Sequence, residues 1–318
     1  MNQEYITANA WSIIEDDFDK DRVKSSESLF SLGNGAMGQR ANFEETYTGD
    51  TFQGSYIAGV YYPDKTRVGW WKNGYPEYFA KVLNAPNWIG INVTVNGVAL
   101  DLNTCKSITN YKRELNMKEG WYERSFTAVL PNDVEVNVSA KRFLSLTHDE
   151  LGVINYKVTP VNTKAVIEFS PYIDAGITNE DTNWDDKFWD ILSVTEADQQ
   201  GFITSKTMKT EFHVGTYMQS LVFVDGQKQN LKPSVTQSDS ELYYKYTLNV
   251  NKGEEASIQK FAGYVTDMNH KTSQLIDAAK TVLKESINLG YETLLKQQKD
   301  AWASIWDMAD ITIDGDVK

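Results

Sequence analysis

The chain has 318 residues, 41% hydrophobic and 24% charged, with 31 Lys and Arg against 44 Asp and Glu, for a formal charge of −13. This composition excludes global disorder, and the acidic surface excludes nucleic acid and anionic membranes as partners, because like charges repel over about a Debye length. A single cysteine, Cys105, excludes an internal disulfide framework and a Cys-based zinc site, and no run of about 18 apolar residues spans a membrane.

Residues 1–7 carry neither a basic segment nor an apolar core, so no signal peptide is read there. The first 270 or so residues read as strands and turns. Ile91-Asn92-Val93-Thr94-Val95 alternates into the hairpin turn Asn96-Gly97. Val134-Glu135-Val136-Asn137-Val138 alternates after Pro131-Asn132-Asp133. Similar runs follow at residues 152–159, 165–169, 220–224, 242–250 and 258–265. Strands joined by short turns predict stacked antiparallel sheets.

Near Lys271 the period changes. Leu275, Ile276, Ala279, Val282, Leu283 and Ile287 share one helical face, with Thr272 or Ser273 placed as cap. After Gly290 a second stripe runs through Tyr291, Leu294, Leu295, Gln298, Trp302, Ile305 and Trp306. Residues 310–316 read as one short strand. The domain boundaries predicted are 1–270 for the β domain and 271–318 for a helical linker.

Leu32-Gly33-Asn34-Gly35-Ala36-Met37-Gly38 has the glycine spacing of a dinucleotide fingerprint, which works only between a strand and a helix in a βαβ unit. No helical stripe follows, so a tight turn or bulge is expected. Glu44 and Glu45 are adjacent; in a strand they would point to opposite faces and serve no common substrate. Asp181, Asp185 and Asp186, with Trp184 and Trp189, read as a solvated loop without calcium-loop spacing. His148, His213 and His270 are too scattered for a metal site or a catalytic triad. Asn92 and Asn137 head glycosylation sequons of the kind that arise by chance.

The chain holds nine Trp, 17 Tyr and 13 Phe. Such content suits a large β core, and also stacking on pyranose rings. Residues 53–88 concentrate it without helical or strand period. A long aromatic stretch of this kind either walls a sugar pocket or fills a domain interface. Tyr56, Trp70, Trp71, Lys72 and Tyr75 are the substrate-binding or domain-interface candidates. Lys72 offers a donor to a hydroxyl or a charge to phosphate, or is simply solvated. No residue is assigned a catalytic or metal-binding role.

Several separated motifs carry a resemblance. Glu27-Ser28-Leu29-Phe30-Ser31-Leu32-Gly33-Asn34-Gly35, then Gly38-Gln39-Arg40-Ala41-Asn42-Phe43-Glu44-Glu45 and Gly54-Ser55-Tyr56-Ile57-Ala58-Gly59, resemble the start of glycoside hydrolase family 65. Leu83-Asn84-Ala85-Pro86-Asn87-Trp88 is similar to that family's Leu-Pro-Asn-Trp region, and the tail from Ala301 to Ile313 resembles its linker. Where members often have His in the second linker helix, this chain has Gln298.

The resemblance implies a mainly β, galactose-mutarotase-like super-sandwich of two antiparallel sheets, then a short helical linker. Beyond these the family has an (α/α)6 barrel, which holds its general acid and phosphate site. The expected partners are therefore an own catalytic barrel domain, absent from this chain, and an α-linked glucose disaccharide such as maltose, kojibiose or trehalose. Homodimerisation, no cofactor beyond inorganic phosphate as co-substrate, and no catalysis by this chain alone are also expected. The alternatives are a hydrolase in place of a phosphorylase, and an autonomous carbohydrate-binding module. Phosphorolysis favours the cytoplasm; a removed signal peptide would mean a periplasmic or secreted protein.

Overall fold

The computed structural model describes residues 5–66, 74, 76–179, 187–311 and 315. The largest sheet is antiparallel and holds β1 (Ile6–Ala8), β2 (Ser12–Glu15), β10 (Ser107–Asn116), β11 (Trp121–Val129), β12 (Glu135–Leu144), β13 (Leu151–Pro160), β21 (Ala256–Thr266), β17 (His213–Val224), β16 (Gln200–Thr207) and β15 (Trp189–Ala197), in that spatial order. An eleventh strand, β18 (Gln227–Gln229), pairs with β17 alone. The facing sheet runs β19 (Ser234–Gln237), β20 (Glu241–Val250), β14 (Ala165–Asp174), β8 (Ile91–Val95) and β9 (Val98–Ala99). Two smaller units are the sheet β3 (Leu32–Gly33), β4 (Met37–Gln39), β5 (Ser55–Ile57) and the ribbon β6 (Tyr61–Lys65), β7 (Tyr78–Val82).

Period-two alternation puts the apolar residues of both large sheets into one core. Phe126, Val138, Ile154 and Ile258 meet Val93, Ile167, Phe169 and Leu248 there. The large sheet buries its other face as well. Helix α2 (Leu275–Leu289) lays Leu275, Ala279 and Leu283 on Phe202, Tyr217, Phe261 and Val265, and helix α3 (Tyr291–Ala309) lays Tyr291, Leu294 and Leu295 beside Phe143, Leu151 and Val153. The expected two-sheet antiparallel sandwich with terminal helices is thus observed.

Three local readings are corrected. A short helix, α1 (Val23–Leu29), lies in the stretch read as strands and turns. Neither Thr272 nor Ser273 caps α2 through its side chain; both belong to a 3-10 turn that leads into the helix. Asp310 and Ile311 are not in a strand, and most of the predicted terminal strand lies outside the described residues.

The end of the predicted α3 stripe is only partly covered: Trp302 and Trp306 lie half-buried against the sandwich, while Ile305 is exposed. Trp302 and Trp306 stack with ring centroids 5.6 Å apart, Trp306 meets Trp11 edge-on at 5.0 Å, and its indole N–H donates to the Met117 carbonyl at 3.1 Å. Gly120 makes this approach possible, since a Cβ there would sit 1.8 Å from Trp302 Nε1. Gln298 is buried: its Nε2 donates to the Gly120 carbonyl and its Oε1 accepts from the Leu146 N–H, both at 2.9 Å. The amide therefore ties α3 to the ends of two β turns.

Lys260 joins the two large sheets. It is fully buried on β21, and its Nζ donates to the carbonyls of Gly90 at 2.8 Å and Tyr172 at 2.6 Å. Burial alone pushes its ammonium well below the usual lysine range. In the unfolded chain the same group titrates at about 10.4, so between the two values the unfolded state binds more protons and stability rises with pH. Relative to Lys260→Met, the wild-type chain should gain urea resistance between about pH 7 and about pH 10. An identical difference between the two proteins at both pH values would contradict this.

Candidate functional site

Of the candidate residues, Trp70, Trp71, Lys72 and Tyr75 lie outside the described residues. Tyr56 stands on β5, half-buried, opposite Gly38. Its hydroxyl and Arg40 Cδ both lie 2.4 Å from where a Gly54 Cβ would be, so the ring covers a glycine-lined patch of the small sheet. Arg40 is itself fixed by Nε donating to the Phe52 carbonyl at 2.8 Å and Nη2 to the Lys24 carbonyl at 3.0 Å.

The aromatic stretch is not wholly without strand period. Its arms form the β6–β7 ribbon, closed by the Thr66 N–H donating to the Glu77 carbonyl at 2.8 Å. Pro63 concealed the pattern; it is tolerated because a two-stranded ribbon leaves an edge where no N–H is needed. One face is fastened to the sandwich. Lys81 pairs with Asp64 at 2.5 Å, Tyr62 packs on Phe188 with centroids 4.6 Å apart, and Thr210 Oγ1 donates to the Tyr61 carbonyl at 2.8 Å. On the opposite face Tyr61, Tyr78 and Val82 are 43%, 51% and 63% exposed. Tyr61 on that face meets Phe212 edge-on with centroids 5.6 Å apart, which leaves Tyr78 and Val82 as its uncovered apolar side chains.

The adjacent carboxylates behave differently from the expectation. Glu44 and Glu45 sit in a bend, not a strand, and both turn to the same arginine. Arg124 reaches Glu45 Oε1 at 2.6 Å and Glu44 Oε2 at 2.9 Å, while Arg142 reaches Glu44 Oε1 at 2.6 Å. All four side chains are buried. Burial opposes ionisation of Glu44, but Arg142 and Arg124 outweigh it and hold its carboxyl below the usual range. Glu27 is also occupied, accepting from the Phe52 N–H at 2.8 Å and from the Thr51 hydroxyl. These acids hold the sandwich to the segment 40–52. The signal for them was an arginine at an inward position of an apolar alternation, as in Tyr122-Glu123-Arg124-Ser125-Phe126.

The glycine-rich turn opens no helix. It forms the β3–β4 hairpin, in which Asn34 Oδ1 accepts from the N–H groups of Ala36 at 3.0 Å and Met37 at 2.7 Å. Asn34 Nδ2 donates to the carbonyls of Ser145 and Asp149 at 2.8 and 2.9 Å, which pins the hairpin to the β12–β13 turn. In Leu83-Asn84-Ala85-Pro86-Asn87-Trp88, Asn84 Nδ2 donates to the Thr178 carbonyl at 3.0 Å, its N–H donates to Asn179 Oδ1 at 2.9 Å, and its carbonyl accepts from the Trp189 indole at 2.8 Å. Trp189 is therefore a buried member of β15, not part of a solvated loop. Asp181, Trp184, Asp185 and Asp186 lie outside the described residues.

His213 faces Asp267 at 3.3 Å and His270 faces Glu150 at 2.9 Å. Among the described residues no cluster of His, Cys, Asp and Glu is arranged to hold a metal ion, and no helix is long and apolar enough to cross a membrane.

The sequence profile of the N-terminal domain of glycosyl hydrolase family 65 matches residues 13–305. Maltose phosphorylase of Bacillus subtilis (strain 168) is 38% identical over 99% of this chain and 41% of its own length. Alpha,alpha-trehalose phosphorylase of Thermoanaerobacter brockii is 30% identical over 96% of this chain and 40% of its own. A solved structure described as "Putative kojibiose phosphorylase from human microbiome" superposes with a TM-score of 0.86 at 27% identity, over 98% of this chain and 40% of that one. The chain thus spans about two fifths of the length of the relatives it matches. Matched over nearly its whole length, the chain belongs to glycosyl hydrolase family 65, as that family's N-terminal domain.

Proposed function

We propose that this chain is the framing domain of a phosphorylase acting on an α-linked glucose disaccharide, and that it does not catalyse by itself. The similarity to maltose phosphorylase along 99% of the chain carries this reading. The geometry supports it in two ways. Glu44 and Glu45 are consumed by Arg124 and Arg142, where a glycosidic bond needs one protonated and one ionised carboxyl beside an open cleft. The apolar face of the β6–β7 ribbon is the kind of surface that a further domain covers.

In this reading residues 1–270 form the framing domain and residues 271–318 lead toward the catalytic barrel. Tyr56, Trp70, Trp71, Lys72 and Tyr75 then line the interface or the sugar pocket. Inorganic phosphate is the co-substrate, the assembled enzyme is a homodimer, and it works in the cytoplasm.

Purified chain incubated with maltose, kojibiose or trehalose, with and without phosphate, should release no glucose or glucose 1-phosphate above background. Release by the purified chain would overturn the proposed division of labour.

A further inference from the structure

The aromatic ribbon carries an open strand edge. The Thr66 N–H donates to the Glu77 carbonyl, and the β6–β7 register continues from there without a bulge. Asp64–Phe79 and Tyr62–Lys81 are therefore the pairs that exchange the ribbon's own hydrogen bonds, and the residues between them turn their N–H and C=O groups outward.

On β6 these outward groups are occupied. The Tyr61 carbonyl accepts from Thr210 Oγ1 at 2.8 Å, the Pro63 carbonyl accepts from Lys209 Nζ at 3.2 Å, and the Lys65 N–H donates to Asp64 Oδ1 at 2.9 Å. On β7 they are occupied only at the ends. The Val82 carbonyl accepts from Asn179 Nδ2 at 2.9 Å, while Pro76, which has no N–H, accepts at its carbonyl from the Thr66 hydroxyl. Between these ends the N–H and C=O groups of Tyr78 and Ala80 have no partner among the described residues, and both residues are exposed. Open edges are normally blunted by an outward Lys, a Pro or a bulge, and neither position has one.

What fits so short a window is the window itself. We propose that β7 pairs antiparallel with β7 of a second copy, about a two-fold axis at Phe79. Tyr78 then lies opposite Ala80 of the second copy, and four backbone hydrogen bonds satisfy every open group of both strands. The side chains agree with this register. Phe79 meets Phe79 of the second copy at the close, non-hydrogen-bonded position, which accounts for a phenyl ring left 44% exposed on the face that is fastened to the sandwich. Glu77, exposed at the start of the strand, stands opposite Lys81 of the second copy, so unlike charges meet.

The contact uses the edge of the ribbon and leaves its apolar face free. It supplies a surface for the homodimer proposed above, and rests on that reading for the number of copies alone.

The test is sedimentation of the 318-residue chain at about 0.15 M salt, where its formal charge of −13 is screened beyond about 8 Å. A monomer at about 1 μM should become a dimer by about 1 mM, the range of a small, transient interface. Ala80→Pro removes an outward N–H and none of the ribbon's own hydrogen bonds, so it should weaken the dimer about tenfold or more at an unchanged melting temperature. Glu77→Lys sets two lysines face to face and should weaken it several-fold. In a Cys105→Ser background, Phe79→Cys should form a disulfide-linked dimer on mild oxidation, while Tyr61→Cys, on the other strand, should not. A dimer indifferent to Ala80→Pro and Glu77→Lys would keep the homodimer and overturn this contact. A chain monomeric throughout, or one that Phe79→Cys fails to cross-link, would overturn the contact and leave the edge to a segment of a longer protein.

Discussion

Arg124→Met is expected to lower stability by about 3–5 kcal/mol, a large share of the roughly 5–15 kcal/mol that keeps a domain folded. The side chain is fully buried and neutralises two carboxylates, Glu44 and Glu45, that have no water to turn to. Without it Arg142 still pairs with Glu44 at 2.6 Å, but Glu45 is left charged in the interior. The double change Arg124→Met, Glu45→Gln should recover much of the loss, because it removes one charge of each sign and leaves the Arg142–Glu44 pair in place. Acid should act on the same cluster. The folded Glu44 titrates below its unfolded value of about 4.3, so its contribution is complete above that pH and is lost as pH falls through the folded value. Urea midpoints for the single and double variants check this. A single variant within about 0.5 kcal/mol of wild type would refute it.

Trp88→Ala should cost a comparable amount, about 3–5 kcal/mol. Trp88 ends the motif shared with the family, which invites a role in sugar contact. The structure gives it a packing role. It is fully buried, and a Cβ on Gly152 would lie 2.2 Å from its Cη2, so the ring is pressed onto bare backbone of β13. Removing it leaves a void between the sheets that the surrounding strands cannot close. Trp88→Phe should lose less, and Gly152→Val should fail in the same way as Trp88→Ala. Thermal unfolding measures all three. A Trp88→Ala loss below about 1 kcal/mol would show that the ring is not a structural anchor.

The sandwich was legible because alternation and helical period are direct images of burial. The runs at 134–138 and 258–265 became β12 and β21, and the stripe through Leu275, Ala279 and Leu283 became the buried face of α2. Where polar groups occupy inward positions, the pattern fails. Val23, Ser26, Glu27 and Phe30 are buried at helical spacing, yet two are polar, so α1 escaped. They are buried because they are paired: Ser26 donates to Glu15 at 2.9 Å, and Glu27 accepts from the Phe52 N–H. Glu44 and Glu45 were misread for the same reason, since the partners of both lie about 80 residues away on β11 and, for Glu44, about 100 away on β12. Of the candidate site, composition marked the aromatic stretch and the structure supplies its ribbon.

If this chain is the framing domain of a glucoside phosphorylase, it should serve in place of the matching segment of a relative. The most direct measurement replaces the matching segment of the Bacillus subtilis maltose phosphorylase with this chain and follows phosphate-dependent glucose 1-phosphate formation from maltose. A soluble chimera that retains phosphorolysis is expected, alongside an inactive protein when the segment is deleted. A well-folded deletion protein with full activity, or a folded chimera with none, would contradict it.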